Sequence, residues 1–136
     1  MIEDYDKWNN LKKSLSEKNP FTGFKNRDIF YMNMGENLGF EQNGKGENFV
    51  RPVIVFKKFN RNMFLGIPLS SQVKDGSYFF KFEFDKRSKH GVVVSKNIAI
   101  LVQMRLYSNK RLLNKIGVIN KDKFEKMSEE LKKLIF

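Results

Sequence analysis

The pattern of apolar and polar positions along the chain predicts an amphipathic helix followed by a series of short strands. Apolar residues recur at spacings of three and four over residues 2–18, which is typical of a helix with one buried face. These residues are Ile2, Tyr5, Trp8, Leu11 and Leu15. The helix should end at Asn19, because a residue before a proline is pushed out of the α conformation.

Five segments have the aromatic, β-branched or alternating composition of strands. They are residues 28–34, 50–57, 63–70, 77–84 and 97–106. A sixth, shorter apolar segment is Val92–Val94. The polar, glycine-rich stretch 35–48 has no periodicity and predicts a long loop of the kind that is often functional.

The end of the chain has capping signals for two helices. Ser108 is a candidate cap for a short helix over residues 109–115, which Gly117 would close. Asp122 and Glu125 resemble a capping box for a final helix. Together the elements predict a mainly β fold with helices (α+β), in which a small, strongly bent barrel or half-barrel has helices outside it.

Composition excludes several classes of site. The 136 residues include no Cys and one His, which excludes disulfides, Cys-ligated zinc, iron–sulfur clusters, thiol nucleophiles and multi-His metal sites. We therefore expect neither a metal nor a cofactor. No apolar run is long enough to span a membrane, and the first residues lack the apolar core of a signal peptide, so we expect a single cytoplasmic domain.

The charge of the chain favours anionic partners. Lys and Arg number 26 against 15 Asp and Glu, a formal net charge of +11. Such a charge suits nucleic acid, an anionic membrane surface or an acidic protein. A surface that is simply solubilised by lysine is the plain alternative.

The two apolar strands 50–57 and 63–70 bring a pair of candidate catalytic residues together. If they form an antiparallel hairpin centred on Asn60 and Arg61, Arg51 lies opposite Ser70 at the open end. A guanidinium is a planar, permanent cation suited to phosphate, and a serine hydroxyl can donate to a phosphoryl oxygen. In the alternative interpretation Arg51 merely begins a strand.

Other chemically capable residues have simpler explanations. His90 lies in a charged turn and is expected to be solvated, and Glu83 and Asp85 are expected to face solvent. Phe40 and Phe49, in or beside the polar loop, are candidates for stacking on unpaired bases.

Short motifs in a fixed order carry a family resemblance. GFEQNG at residues 39–44, RPVIV at 51–55, PLSS at 68–71 and QMR at 103–105 resemble the MazF/PemK toxins of toxin–antitoxin systems. The helical pattern that closes the chain is also similar to theirs. The resemblance spans about residues 27–134, so we expect a toxin domain over 27–136 with an N-terminal helical extension over 1–26 packed on it.

The resemblance implies an SH3-like barrel, a homodimer, an acidic antitoxin partner and metal-independent, sequence-selective cleavage of single-stranded RNA. It assigns catalysis to Arg51 and Ser70. The residues expected to bind RNA, among which Lys57 is chosen for its charge, are Glu41, Gln42, Asn43, Lys45, Lys57, Gln103 and Arg105.

Two departures from the family pattern bear on these expectations. The loop has extra residues over 45–50, and serine stands at position 70 where threonine is commoner. Two other functions remain open at this point: a barrel of the same type that poisons DNA gyrase by binding, and a non-catalytic nucleic-acid-binding barrel.

Overall fold

The computed structural model describes residues 23–34, 50–72 and 74–136. The described residues do not include the helix predicted over 2–18 or the loop predicted over 35–48. Of the N-terminal extension predicted over 1–26, they include only the last residues. Within the described part of the chain, no helix is long and apolar enough to cross a membrane.

The described residues form a mainly β half-barrel of antiparallel strands with one C-terminal helix. The elements are β1 (Asp28–Asn33), β2 (Val50–Lys58), β3 (Met63–Ser70), β4 (Phe79–Ser88), β5 (Gly91–Ile100), β6 (Arg105–Ser108), β7 (Leu112–Val118) and α1 (Lys121–Ile135). Single 3-10 turns at Leu101–Gln103 and Asn109–Arg111 flank β6. This architecture confirms the predicted fold class.

The strands are ordered β4-β5-β3-β2-β1-β7, and β6 pairs with β3 beside β5. The two ends of this order curl toward each other. A Cβ atom on Gly117 of β7 would lie 2.6 Å from the ring of Phe84 in β4. Glycine at this position therefore lets β4 and β7 approach closely enough to bend the sheet into a half-barrel.

The bent sheet separates two hydrophobic cores. On one face, β-strand residues such as Ile29, Ile54 and Leu69 pack with Phe82 and with Met127 of α1. On the other face lies a second core, formed by residues from the start of the described chain and from β1, β2, β3, β6 and β7: Phe24, Phe30, Met32, Met34, Val53, Val55, Phe64, Tyr107 and Leu112. The second core supports the candidate site.

Two of the predicted elements near the end of the chain are wrong. The long strand expected over 97–106 is broken, because β5 ends at Ile100 and a 3-10 turn precedes β6. β5 instead begins at Gly91 and includes the separate segment predicted at Val92–Val94. The helix expected over 109–115 is one 3-10 turn followed by β7, whose Leu112 and Ile116 are buried.

The final helix is confirmed, but its cap differs from the predicted one. Asn120 is the N-cap, and its side-chain oxygen accepts a hydrogen bond from the backbone N–H of Asp122 at 2.8 Å. Asp122 is thus a first-turn residue, where a carboxylate interacts favourably with the helix dipole. Met127 and Leu131 form the buried stripe of α1.

Candidate active site

Arg51 lies near the start of β2 with its side chain on the second-core face of the sheet. It alternates with Val53 and Val55, which belong to that core, and is paired with Met32 of β1. Only 3% of the residue is exposed. Its Nη2 donates a hydrogen bond to the carbonyl oxygen of Leu69 at 3.2 Å. This bond ties the guanidinium to the end of β3.

Ser70 ends β3, on the same face as Arg51. The observed pairing of Val53 with Pro68 and of Ile54 with Ile67 has the predicted register, and its continuation leads to Arg51 and Ser70. Ser70 is 6% exposed, and its Oγ accepts a hydrogen bond from the backbone N–H of Gln72 at 3.2 Å. The register therefore leads to Arg51 and Ser70 at the same end of the hairpin and on one face of the sheet.

Strand β6 adds two more side chains to this face. Arg105 is opposite Gly66 and Tyr107 is opposite Phe64, so both share the face of the second core. The Tyr107 hydroxyl is buried, and its ring lies 5.9 Å from that of Phe64. Arg105 is exposed, which leaves a cation at the solvent-facing edge of the site.

The electrostatics of the site couple these residues to Arg111. Burial lowers the pKa of Arg51 from its usual value, and the nearby Tyr107 acts in the opposite direction. Burial also lowers the pKa of Arg111, where Tyr107 opposes the shift and the positive charge of Arg105 adds to it. Charge brought into a poorly solvated place interacts strongly with an incoming anion, so this cluster favours a phosphate.

Arg111 and Tyr107 belong to the site although no role was predicted for either. Arg111 Nη1 donates a hydrogen bond to the carbonyl oxygen of Met34 at 3.0 Å, which ties the turn after β6 to the end of β1. The sequence signal for Tyr107 was its alternation with Arg105, which becomes apparent only once β6 is recognised as a strand. Because residues 109–115 read as a helix, Arg111 appeared to belong to a different element.

The other predicted RNA-binding residues are distributed unevenly. Gln103 is half-buried in the 3-10 turn before β6, two residues from Arg105. Lys57 is exposed and opposite Leu65, because a bulge at Phe56 shifts the pairing and turns Lys57 away from the Arg51 face. Lys58 takes that face instead, with its Nζ 4.7 Å from the ring centroid of Phe24.

Four predicted RNA-binding residues and two stacking candidates lie outside the described residues. They are Glu41, Gln42, Asn43, Lys45, Phe40 and Phe49. Of these side chains the structure gives no geometry.

The residues predicted to be solvated are exposed. His90 lies in the turn between β4 and β5, and Glu83 and Asp85 are on the solvent side of β4. None of them approaches Arg51 in the strand pairing. In the described ranges 23–34, 50–72 and 74–136, no cluster of three or more His, Cys, Asp or Glu side chains has the arrangement of a metal site.

Comparisons with known proteins relate this chain to one family by sequence and to solved structures by fold. A sequence model of the PemK-like, MazF-like toxins of type II toxin–antitoxin systems matches residues 25–135. Among solved structures, the fold is similar to that of the Mycobacterium tuberculosis toxin MazF-mt6, with a TM-score of 0.59 and 10% sequence identity. The match covers 80% of this chain and 96% of that one. A sequence comparison with curated proteins gives no match.

Proposed function

Since the chain belongs to the PemK-like, MazF-like toxins of type II toxin–antitoxin systems, we propose that it is a metal-independent endoribonuclease acting on single-stranded RNA. The observation that supports this most strongly is the buried Arg51 guanidinium on the same sheet face as Ser70. A binding protein has no need to bury a cation beside a hydroxyl, because phosphates are bound adequately by exposed lysines.

The proposed reaction uses the 2′-hydroxyl of the RNA as the nucleophile. Its oxygen forms a bond to the adjacent phosphorus, the bond from phosphorus to the 5′ oxygen breaks, and a 2′,3′-cyclic phosphate and a 5′-hydroxyl result. One proton leaves the 2′-hydroxyl and one reaches the departing 5′ oxygen. Negative charge accumulates on the phosphoryl oxygens in between, and stabilising it is usually the largest contribution to catalysis.

We assign to Arg51 the stabilisation of that negative charge. We assign to Ser70 the donation of a hydrogen bond to a phosphoryl oxygen. Because burial removes much of the solvent around Arg51, its interaction with developing charge is stronger than that of an exposed arginine. The lowered pKa of Arg51 is in the direction that proton transfer requires. A guanidinium nevertheless remains charged near neutral pH, so we give it charge stabilisation as its main role.

RNA binding is proposed for the side chains around this pair. Arg105 is exposed on the same face and Gln103 is two residues before it, which supports both as contacts to the RNA strand. Glu41, Gln42, Asn43 and Lys45 are proposed as contacts by resemblance alone. Lys57 faces away from Arg51 and would contribute only to the general attraction of the surface for RNA.

Partners follow from the same proposal. An acidic antitoxin segment would bind the basic face and cover Arg51. A homodimer is supported by exposed apolar side chains on β6 and on the 3-10 turn before it, since Val102 is 58% and Leu106 50% exposed. We further propose that residues 1–26 form an extension to a toxin domain over 27–136, and that the protein acts in the cytoplasm.

The test is cleavage of labelled, unstructured RNA by the purified protein in EDTA. The proposal expects products ending in a cyclic phosphate and a 5′-hydroxyl, no cleavage when the 2′-hydroxyl at the cleaved position is replaced by hydrogen, and no cleavage by Arg51→Ala. Salt-sensitive binding without cleavage would contradict the proposal and favour a nucleic-acid-binding barrel. Inhibition of DNA gyrase without RNA cleavage would favour a gyrase poison.

A further inference from the structure

A concave region of about 410 Å³ begins next to Ser70 and extends over strands β5 and β4. Ser71 and Gln72, the two residues after Ser70, form its near end, and Lys81, Lys96 and Lys123 line the remainder. We call this region the lysine groove. Its volume is in the range of pockets that hold small ligands, so a nucleotide is an occupant of suitable size.

Strand pairing connects the groove directly to the candidate active site. Ser70 is paired with Ile98 of β5, and Ile98 is paired with Lys81 of β4. Paired residues of neighbouring strands present their side chains to the same face, so these three residues form a row that leads from the hydroxyl to a lysine. Two strand spacings separate Ser70 from Lys81, about 10 Å between the backbones. An RNA strand leaving Ser70 along this row would enter the groove.

The charge of the groove suits phosphates. Among the described residues that line it, three are lysines, from β4, β5 and α1, and one is a carboxylate, Glu83, which is opposite Lys96. Lys81 also forms an ion pair with the exposed Asp75. Lys123 donates a hydrogen bond from Nζ to the carbonyl oxygen of Glu83 at 3.1 Å. An exposed ion pair such as that of Lys81 with Asp75 contributes little to stability and is readily exchanged for a contact with a phosphate.

The rest of the lining can accept the sugar or base between two phosphates. Ile98 provides an apolar surface, and Gln72 provides a side-chain amide that donates and accepts hydrogen bonds.

We infer that the lysine groove binds the part of the RNA strand adjacent to the cleaved phosphodiester, with Lys81 and Lys96 contacting its phosphates. This inference rests on the proposed nuclease function. Neither lysine touches the reacting phosphate, so both contribute to the binding of substrate and not to the chemical step.

The test uses a 24-nucleotide unstructured RNA that the wild-type protein cleaves at one position. Binding is measured on the same RNA with a 2′-deoxy residue at that position, which prevents cleavage. The variant is the Lys81→Ala/Lys96→Ala double substitution, and the matched control is Lys89→Ala/Lys126→Ala, which removes the same charge elsewhere. Each lost phosphate contact lowers the slope of log K against log salt by about 0.7, so the groove variant should lose about 1.4. Its affinity should fall about 25-fold near 0.1 M salt, with an unchanged single-turnover rate at saturating protein.

Shortening the RNA from either end identifies which flank the groove holds. Wild-type protein should lose affinity when one particular flank is removed, whereas the groove variant should bind the long and short RNAs equally. Equal losses in the groove variant and the control, or an unchanged salt slope, would overturn the inference. If the double variant melts at a lower temperature, the single variant Lys96→Gln replaces it. RNA affinity should then fall in Lys96→Gln and be retained in Lys96→Arg.

These measurements distinguish a failure of the groove from a failure of the proposed nuclease function. Absence of cleavage by the wild-type protein refutes the proposed function, whereas cleavage with no specific effect of Lys81 and Lys96 refutes only the groove.

Discussion

Gly66 is the position where the site depends most directly on the absence of a side chain. A Cβ atom there would lie 2.8 Å from Val53 Cγ2 and 2.9 Å from ring atoms of both Phe64 and Tyr107. All three neighbours are buried in the second core, where little space exists for them to move. Gly66 is also opposite Arg105, so the close contact of β6 with β3 sets the position of the site's Arg105 and Tyr107.

We expect Gly66→Ala to destabilise the protein by about 2–3 kcal/mol, the upper part of the range for overpacking a well-filled core. Val53 has a stiff, branched side chain and the other two contacts are to rigid rings, so relief by a small rotation is expensive. For a chain of this size the loss corresponds to a melting temperature lower by roughly 6–15 °C. Thermal and urea unfolding followed by circular dichroism would measure it.

The matched control is Gly23→Ala, because no atom of the described residues lies within 4 Å of a Cβ built at Gly23. That substitution should change the free energy of unfolding by less than about 0.5 kcal/mol. A Gly66→Ala variant as stable as the Gly23→Ala control would refute the close packing of β6 against β3. Combination with Val53→Ala should cost less than the two single losses added, since one of the three clashes is removed.

Two further predictions concern residues whose contacts are known. Ser70→Ala should lose RNA cleavage while Ser70→Thr should retain it, since only the hydroxyl is required. Single-turnover cleavage measures both variants, and an active Ser70→Ala would contradict the role of the hydroxyl. Asn120→Ala should destabilise the protein by about 1 kcal/mol by removing the bond to the Asp122 N–H. Urea unfolding would test this against Asp122→Ala, which we expect to cost less because its carboxylate only complements the helix dipole.

The register of the β2–β3 hairpin near its open end could be predicted because hairpin register depends on local information. A short polar turn between two apolar strands fixes which residues are opposite, and the observed pairs near the open end agree. The bulge at Phe56 could not be predicted, since no glycine or proline occupies that position. It decides which of Lys57 and Lys58 faces the site.

The wrong predictions near the C-terminus arose because pairing between distant strands ends a turn that the local sequence correctly indicates. Ser108 does cap a turn, with its Oγ accepting from the N–H of Lys110 at 3.2 Å, but the turn stops after Arg111. Leu112 is then buried by pairing with Met32 of β1, a partner 80 positions earlier. Val102 and Leu106 belong to the strand predicted over 97–106, yet their side chains are largely exposed.

The most direct test of the central claim compares Arg51→Ala in cleavage and in binding. If the buried guanidinium stabilises charge that develops only in the transition state, single-turnover cleavage at saturating protein should fall at least ~100-fold, about 3 kcal/mol. Binding of the 2′-deoxy RNA should weaken far less, since many Lys and Arg residues share it. Arg51→Lys should not restore cleavage, because a point charge does not reproduce the planar fork. Equal losses of cleavage and binding in Arg51→Ala would make Arg51 an ordinary phosphate contact and contradict the account.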